Sequence, residues 1–272
     1  MKFEKTRVYN FDNALRGMRN PKNSWGKSDS FFYTLPDEYV DIELENIAYE
    51  EMVNAGIDPN DEWVKEEFED NFYSKVLWYW PNLEDCHEVI YIGPNDMWLA
   101  RQLIQGGSEH RKFLRQIFVT VDITAPQFWW SEFDTYKVGT TANSTSKMHK
   151  LASTPITLEC FEPDLIHFIP YDEQAQREDL KHPIDEDFLQ MCLIPYLEFL
   201  RTRYNETKDI KYWEELLSLL PQSWLQTRTV TMNYENLRNM VHQRENHKQS
   251  GWRIKFIDWV KTLPYANEFI FN

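Results

Sequence analysis

The stretch Ile123–Leu151 reads ITAPQFWWSEFDTYKVGTTANSTSKMHKL. It opens within an alternating segment, Phe118-Val119-Thr120-Val121-Asp122-Ile123-Thr124-Ala125-Pro126. That period of two predicts a half-buried strand, closed by a proline that cannot extend a ladder. The bulky Phe128-Trp129-Trp130 follows, and then a polar run with an unusual charge. The chain carries a formal net charge of -15, yet no Asp or Glu occurs between Thr135 and Leu158. The gap holds Lys137, Lys147, His149 and Lys150 among Thr140, Thr141, Asn143, Ser144, Thr145 and Ser146. Hydroxyls, amides and free backbone N–H groups cradle a phosphate, and a lysine supplies the countercharge. The same composition also describes an ordinary polar loop between two ordered elements. It is not a Walker A loop, because Gly139 to Lys147 lacks the glycine directly before the lysine. A basic island in an acidic protein suits a small anion, whereas a nucleic-acid polymer is repelled by the surrounding surface.

Working outward, 272 residues suffice to bury a large core in one domain or two small ones. The 11 tryptophans supply ample bulk for that interior and for stacking a flat ligand. No apolar run reaches membrane-spanning length and no secretory leader is evident, so the expected location is cytoplasmic. Cys86, Cys160 and Cys192 are odd in number and far apart, which predicts reduced, buried thiols and neither a disulfide frame nor a zinc site. Residues 1–35 read as an extended or loop-rich leader. Residues 37–70 are dense in Asp and Glu interleaved with apolar positions; a solvated helical face and a surface for a basic partner both fit. We divide the chain into an acidic N-terminal extension, 1–100, and a core, 101–272.

Trp98 to Ile104 forms an amphipathic pattern stopped by Gly106-Gly107, and Ser108 is positioned to cap a further helix from His110 to Leu114. In the second half, Leu189, Cys192, Leu193, Tyr196, Leu197 and Leu200 recur at helical spacing. Trp213, Leu216, Leu217 and Leu220 do the same before Pro221. Asn233 is a candidate N-cap for a helix with Leu237, Met240 and Val241 on one stripe. Arg244 and then Lys248 continue that stripe, so each needs a counter-anion from the protein or from a ligand. Trp252, Phe256, Ile257 and Val260 make a last amphipathic stretch. No HExxH pair, GxSxG elbow or GxGxxG turn occurs, so the residues offer no metal site and no standard side-chain nucleophile. A cofactor or the substrate itself then carries the difficult chemistry.

The stretch Arg115–Leu151 resembles the central region of flavin-dependent thymidylate synthases. There a strand ends in a motif like FxVxAP and is followed by an aromatic helix and RHRxxSxNxxSxRYxxL. Val121 to Pro126 stands at the strand end, Thr135-Tyr136-Lys137 at the RHR positions and Lys147-Met148 at the RY positions. Asn233, Asn239 and Arg244 then fall at the intervals of a C-terminal family motif, followed by Gly251-Trp252-Arg253-Ile254; Leu220-Pro221 and Thr227-Arg228 precede it. The resemblance covers about half the chain in collinear order.

It implies an α+β fold, an antiparallel sheet with a helical half, in a homotetramer whose active sites form between subunits. It also implies transfer of a one-carbon unit to C5 of a pyrimidine deoxynucleotide, dUMP or a relative such as dCMP. FAD, a folate donor and NADPH are the implied cofactors, and the class is an FAD-dependent methyltransferase. By the same resemblance Asn143, Thr145, Ser146 and Lys147 hold the nucleotide, and Arg244 contacts or orients the pyrimidine. Asn233 and Asn239 lie near the flavin ring, and His110, Thr135 and Lys137 along its phosphate tail. Glu132 stands where the family often has Gln; its acceptor-only carboxylate favours a base with an amino donor. The departures are concentrated. Thr-Tyr-Lys replaces the RHR triplet, so a single amine stands where guanidinium forks would bind FAD. Arg115-Gln116 replaces a Glu-His pair and Lys147-Met148 an Arg-Tyr pair. The other readings are a non-catalytic nucleotide-binding or structural homologue that has lost the flavin site, and an interaction protein using the acidic 37–70 face.

Overall fold

The computed structural model describes residues 1–36, 40–73, 77–79, 86–162 and 188–272. Alternation over 118–126 does produce a strand, β5 (Phe118–Pro126), in a four-stranded sheet with β1 (Lys2–Tyr9), β7 (Leu225–Asn233) and β6 (Thr141–Ser144), in the order β1-β5-β7-β6. The pleat explains β5. Val119, Val121, Ile123 and Ala125 point to one side and are fully buried. On the other side Thr120 meets Thr231 at 3.1 Å, Asp122 accepts from Thr229 at 2.5 Å and Thr124 meets Thr227 at 2.7 Å. As β5 is read forward its partners on β7 run backward, so the two strands are antiparallel.

Two compact units interleave along the chain. One comprises 1–4, 122–137 and 142–230; the other comprises 5–121, 138–141 and 231–272. They do not follow a boundary at residue 100.

The first unit contains the helical half expected from the leucine spacing. A π-helical turn, Leu189–Leu193, leads into α7 (Ile194–Thr207) and then α8 (Ile210–Ser218), after the shorter α5 (Gln127–Phe133) and α6 (Lys147–Lys150). Leu189, Leu197, Leu200 and Leu216 pack with Leu151, Ile156 and Phe161. Asp209 caps α8, its carboxylate accepting from the Lys211 N–H at 3.2 Å.

The second unit carries a smaller antiparallel sheet, β2 (Phe31–Pro36), β4 (Cys86–Tyr91) and β3 (Leu77–Tyr79), with β4 central. The acidic segment forms two helices, α2 (Val40–Asn54) and α3 (Glu62–Tyr73). Leu44, Ala48 and Phe72 from these helices pack on Val89 and Tyr91, while exposed carboxylates line the outer positions, as the solvated-face reading expects. α4 (Pro94–Gln105) ends at the two glycines. α1 (Phe11–Arg19) contributes Phe11 to an aromatic cluster with Tyr234, Tyr265 and Phe269. α9 (Tyr234–Arg244), a π-helical segment (Gly251–Phe256) and α10 (Ile257–Lys261) complete the described helices up to a last π-turn at Asn267–Phe271.

Four expectations need correction. Residues 1–35 are no leader: they contain β1, α1 and most of β2. The helix expected from His110 is a 3-10 turn, Lys112–Gln116, with Arg111 and not Ser108 before it; the preceding residues form turns in which His110 N–H bonds back to Gly107 O. The polar run contains a strand and a helical turn. Cys160 is half-buried and Cys192 exposed, so neither is a core thiol; the side chains of Cys86 and His149 lie outside those described.

The cap at Asn233 forms as the sequence predicts. Its side chain accepts from Asn236 N–H at 2.9 Å, and the Asn236 side chain accepts from Asn233 N–H at 3.3 Å, a reciprocal capping box. Asn233→Ala is expected to lower stability by about 1 kcal/mol, read as a shift in the urea midpoint at constant slope. An unchanged midpoint means that the box adds nothing.

Candidate functional site

In the first unit the polar run is built around backbone pairing and two glutamines. Thr145 N–H bonds to Thr227 O at 2.9 Å, and Gln226 Nε2 donates to Thr145 O at 2.9 Å, fixing the chain just before Ser146. Lys147, at the start of α6, is half-buried and donates to Gln127 Oε1 at 2.9 Å. Gln127 sits at the N-terminus of α5, its own N–H bonded to Trp224 O. The partner is a neutral amide, so the bond fixes the amine in place without pairing it to a carboxylate. Asn143 and Thr145 are exposed and Ser146 half-exposed, all adjacent in chain to that amine. The four residues expected from the sequence, Asn143, Thr145, Ser146 and Lys147, thus lie along one short segment, and Gln127 and Gln226, which the sequence did not single out, hold Lys147 and Thr145.

At the far end of α5, the half-exposed Glu132 offers its carbonyl to Thr135, whose Oγ1 donates at 2.7 Å; Lys137 is exposed two residues on. Beside them Arg228 Nη1 donates to Asp134 Oδ1 at 2.6 Å, and its guanidinium lies 4.2 Å above the Trp130 ring. Trp130 Nε1 in turn donates to Gln226 O at 2.9 Å. The cation–π stack thus links α5 to the strand that holds Thr145.

The second unit holds the remaining candidates. Gly139, at φ +76°, makes a turn whose preceding carbonyl, Val138 O, accepts from Asn236 Nδ2 at 2.8 Å. A Cβ at Gly139 would lie 2.8 Å from Asn236 Oδ1, so the turn admits no larger residue without moving the cap. Asn233 is buried and its oxygen is committed to the helix, whereas Asn239 is exposed on α9. Arg244 ends α9 half-buried, its guanidinium 5.0 Å above the buried Trp252 ring. Earlier on the same helix Arg238 is held below its ordinary pKa, by burial first and then by Arg111. Burial, with Arg238 after it, likewise pulls His242 down. Glu235, paired to Arg111 at 2.9 Å, only partly offsets this positive potential. His110 is exposed and packs its ring against Gly106, lining a cleft of about 550 Å³ with Lys22, Glu109 and Phe113.

Among the described residues no cluster of three or more His, Cys, Asp or Glu is placed to hold a metal, and no helix is long and apolar enough to cross a membrane.

No family model matches the chain, and no curated protein matches it. Solved structures do. A crystal structure of flavin-dependent thymidylate synthase ThyX from Helicobacter pylori, complexed with FAD and dUMP, is similar over 99% of this chain and 98% of that chain. Its sequence identity is 14% and its TM-score 0.54. A second structure of ThyX from Helicobacter pylori with FAD and dUMP, at 2.31 Å resolution, covers 100% and 98% at the same identity and TM-score. At that identity the likeness is one of fold, and the α+β fold implied by the sequence motifs is the fold of this chain.

Proposed function

We propose that this protein is a divergent homologue of flavin-dependent thymidylate synthase that transfers a one-carbon unit to C5 of a pyrimidine deoxynucleotide, dUMP or a relative such as dCMP. The observation that carries the reading is a coincidence of two independent likenesses. The motif matches are collinear from Val121 to Ile254, and the fold likeness runs the length of the chain to proteins solved with FAD and dUMP.

In this reading Lys147 binds the nucleotide phosphate, with Asn143, Thr145 and Ser146 beside it and Gln127 holding the amine in place. Arg244 contacts the pyrimidine, its plane fixed by Trp252. Glu132 accepts from an amino group on the base. Asn239 and the backbone around Asn233 border the flavin ring, while His110, Thr135 and Lys137 border its phosphates. When bound, reduced flavin supplies the hydride, and a folate supplies the carbon; NADPH is the implied reductant. The residues fit that cofactor with fewer cations than the family motif provides, Lys137 being the one fixed positive charge at the triplet. Phe188, Met191, Tyr196 and Phe199 are exposed large apolar side chains on the π-turn and α7 and the residue before them, and support assembly into the proposed homotetramer. The proposed location is cytoplasmic.

Purified protein is expected to be yellow or to quench added FAD, and to be stabilised thermally by dUMP or dCMP. Saturation at 100 times Kd adds about 2.7 kcal/mol. Lys147→Ala and Arg244→Ala each abolish that stabilisation. Colourless protein still stabilised by nucleotide favours the non-catalytic homologue, which the replaced Arg and Glu-His positions support. Protein inert to both flavin and nucleotide refutes the proposal.

A further inference from the structure

We propose a second anion site, for the phosphates of a nucleotide, in the cleft between the end of α1 and the first turns of α4. The cleft, of about 360 Å³, is lined by Arg19, Lys22, Ser24, Lys27, Asn95 and Trp98. It lies wholly within the second unit; Lys22 also borders the neighbouring cleft beside His110, while Arg19, Ser24, Lys27, Asn95 and Trp98 belong to no site assigned above. Three cations converge here although the protein is strongly acidic, and no Asp or Glu occurs between Asp12 and Asp29.

Arg19 is the informative member. It is only 4% exposed. Its Nε donates to Asp96 Oδ1 at 2.5 Å and its Nη1 to Ser24 O at 3.4 Å, while Nη2, also buried, has no hydrogen-bond partner. A buried guanidinium nitrogen left without an acceptor is costly, and an anion in the cleft it lines supplies one. The nearby carboxylates do not compete. Asp96 accepts from Arg19, Ser28 and Ser30, and Asp29 accepts from the N–H groups of Asn95 and Asp96 at the start of α4. Lys22 and Lys27 are exposed and enter none of these pairings. The loop that carries them is braced by Trp25, which donates to Asn20 Oδ1 at 2.8 Å and lies under Arg16. Trp98 is 65% exposed on α4 and lines the same cleft. An indole presented to solvent beside three cations suits a base joined to phosphates.

Titration of the purified chain with ADP, pyrophosphate and adenosine, read by thermal shift and calorimetry, tests this. ADP and pyrophosphate are expected to bind, with affinity falling as salt rises. Lys22→Ala/Lys27→Ala weakens both at least about tenfold without altering the unfolding temperature of the free protein, since both lysines are exposed. Trp98→Ala weakens ADP about tenfold and leaves pyrophosphate unchanged. Failure of millimolar pyrophosphate and ADP to bind, or full binding by the double variant, overturns the proposal. The double variant keeps its response to dUMP, whereas Lys147→Ala keeps its response to pyrophosphate. Loss of both responses in either variant means one shared site and overturns the separate one.

Discussion

Replacing Asp96 by alanine lowers the unfolding free energy by about 3–5 kcal/mol. The carboxylate is fully buried and gathers four donors: Arg19 Nε at 2.5 Å, Ser28 Oγ at 2.6 Å, Ser30 Oγ at 2.7 Å and Asp29 N–H at 3.3 Å. Its removal leaves a guanidinium nine-tenths buried with no counter-charge, and strips both serines of their acceptor. The cost of an uncompensated buried ion exceeds the net worth of the pair itself, because water no longer reaches it. Urea unfolding at neutral pH measures the loss as a lower midpoint with an unchanged slope. Asp96→Asn retains one acceptor oxygen and falls between the two. A loss below about 1 kcal/mol in the alanine variant would show that solvent or a rearranged side chain already compensates Arg19.

Trp130→Ala is expected to lower stability by about 3–5 kcal/mol as well, for a different reason. This indole is buried, packs edge-on to Trp129 at 5.0 Å and to Phe133 at 5.4 Å, and donates from Nε1 to Gln226 O. Alanine leaves a cavity of nearly an indole's volume and removes the surface over which Arg228 lies. Phenylalanine separates the two contributions. It keeps most of the packing and some cation–π attraction while leaving the Gln226 carbonyl without its donor, so the remaining deficit reports chiefly on the hydrogen bond, about 1 kcal/mol. Gln226 also holds Thr145, so nucleotide stabilisation weakens in the alanine variant beyond the loss of global stability. An alanine variant as stable as the parent would mean that α5 repacks, and that the stack does not couple α5 to β7.

The sequence disclosed what repeats locally. β5 was readable because one face is apolar at every second residue and a proline marks its end. α9 was readable because a cap residue precedes an apolar stripe. β1 was not, since only Val8 along it is buried and edge position leaves its pattern polar. β6 is exposed at every residue and exists through main-chain pairing, which leaves no side-chain signature. α1 does carry a local signal: Phe11, Ala14, Leu15 and Met18 fall at helical spacing and are all buried. For the candidate site, the acid-free gap is what singles out Lys147 and its hydroxyl neighbours. Gln127 and Gln226 escaped because uncharged polar residues give no contrast against a strand or a helix end. The pairing of Arg19 with Asp96 spans 77 residues, and no local pattern reports it.

The turn at Gly139 has a consequence for ancestry. Its backbone needs the left-handed region, and the space a methyl group would take is already held by the amide of Asn236. Drift at one of these two positions is therefore conditional on the other. Among diverging descendants a side chain at 139 should be inherited only with a smaller or absent amide at 236, so the two columns change as a linked pair.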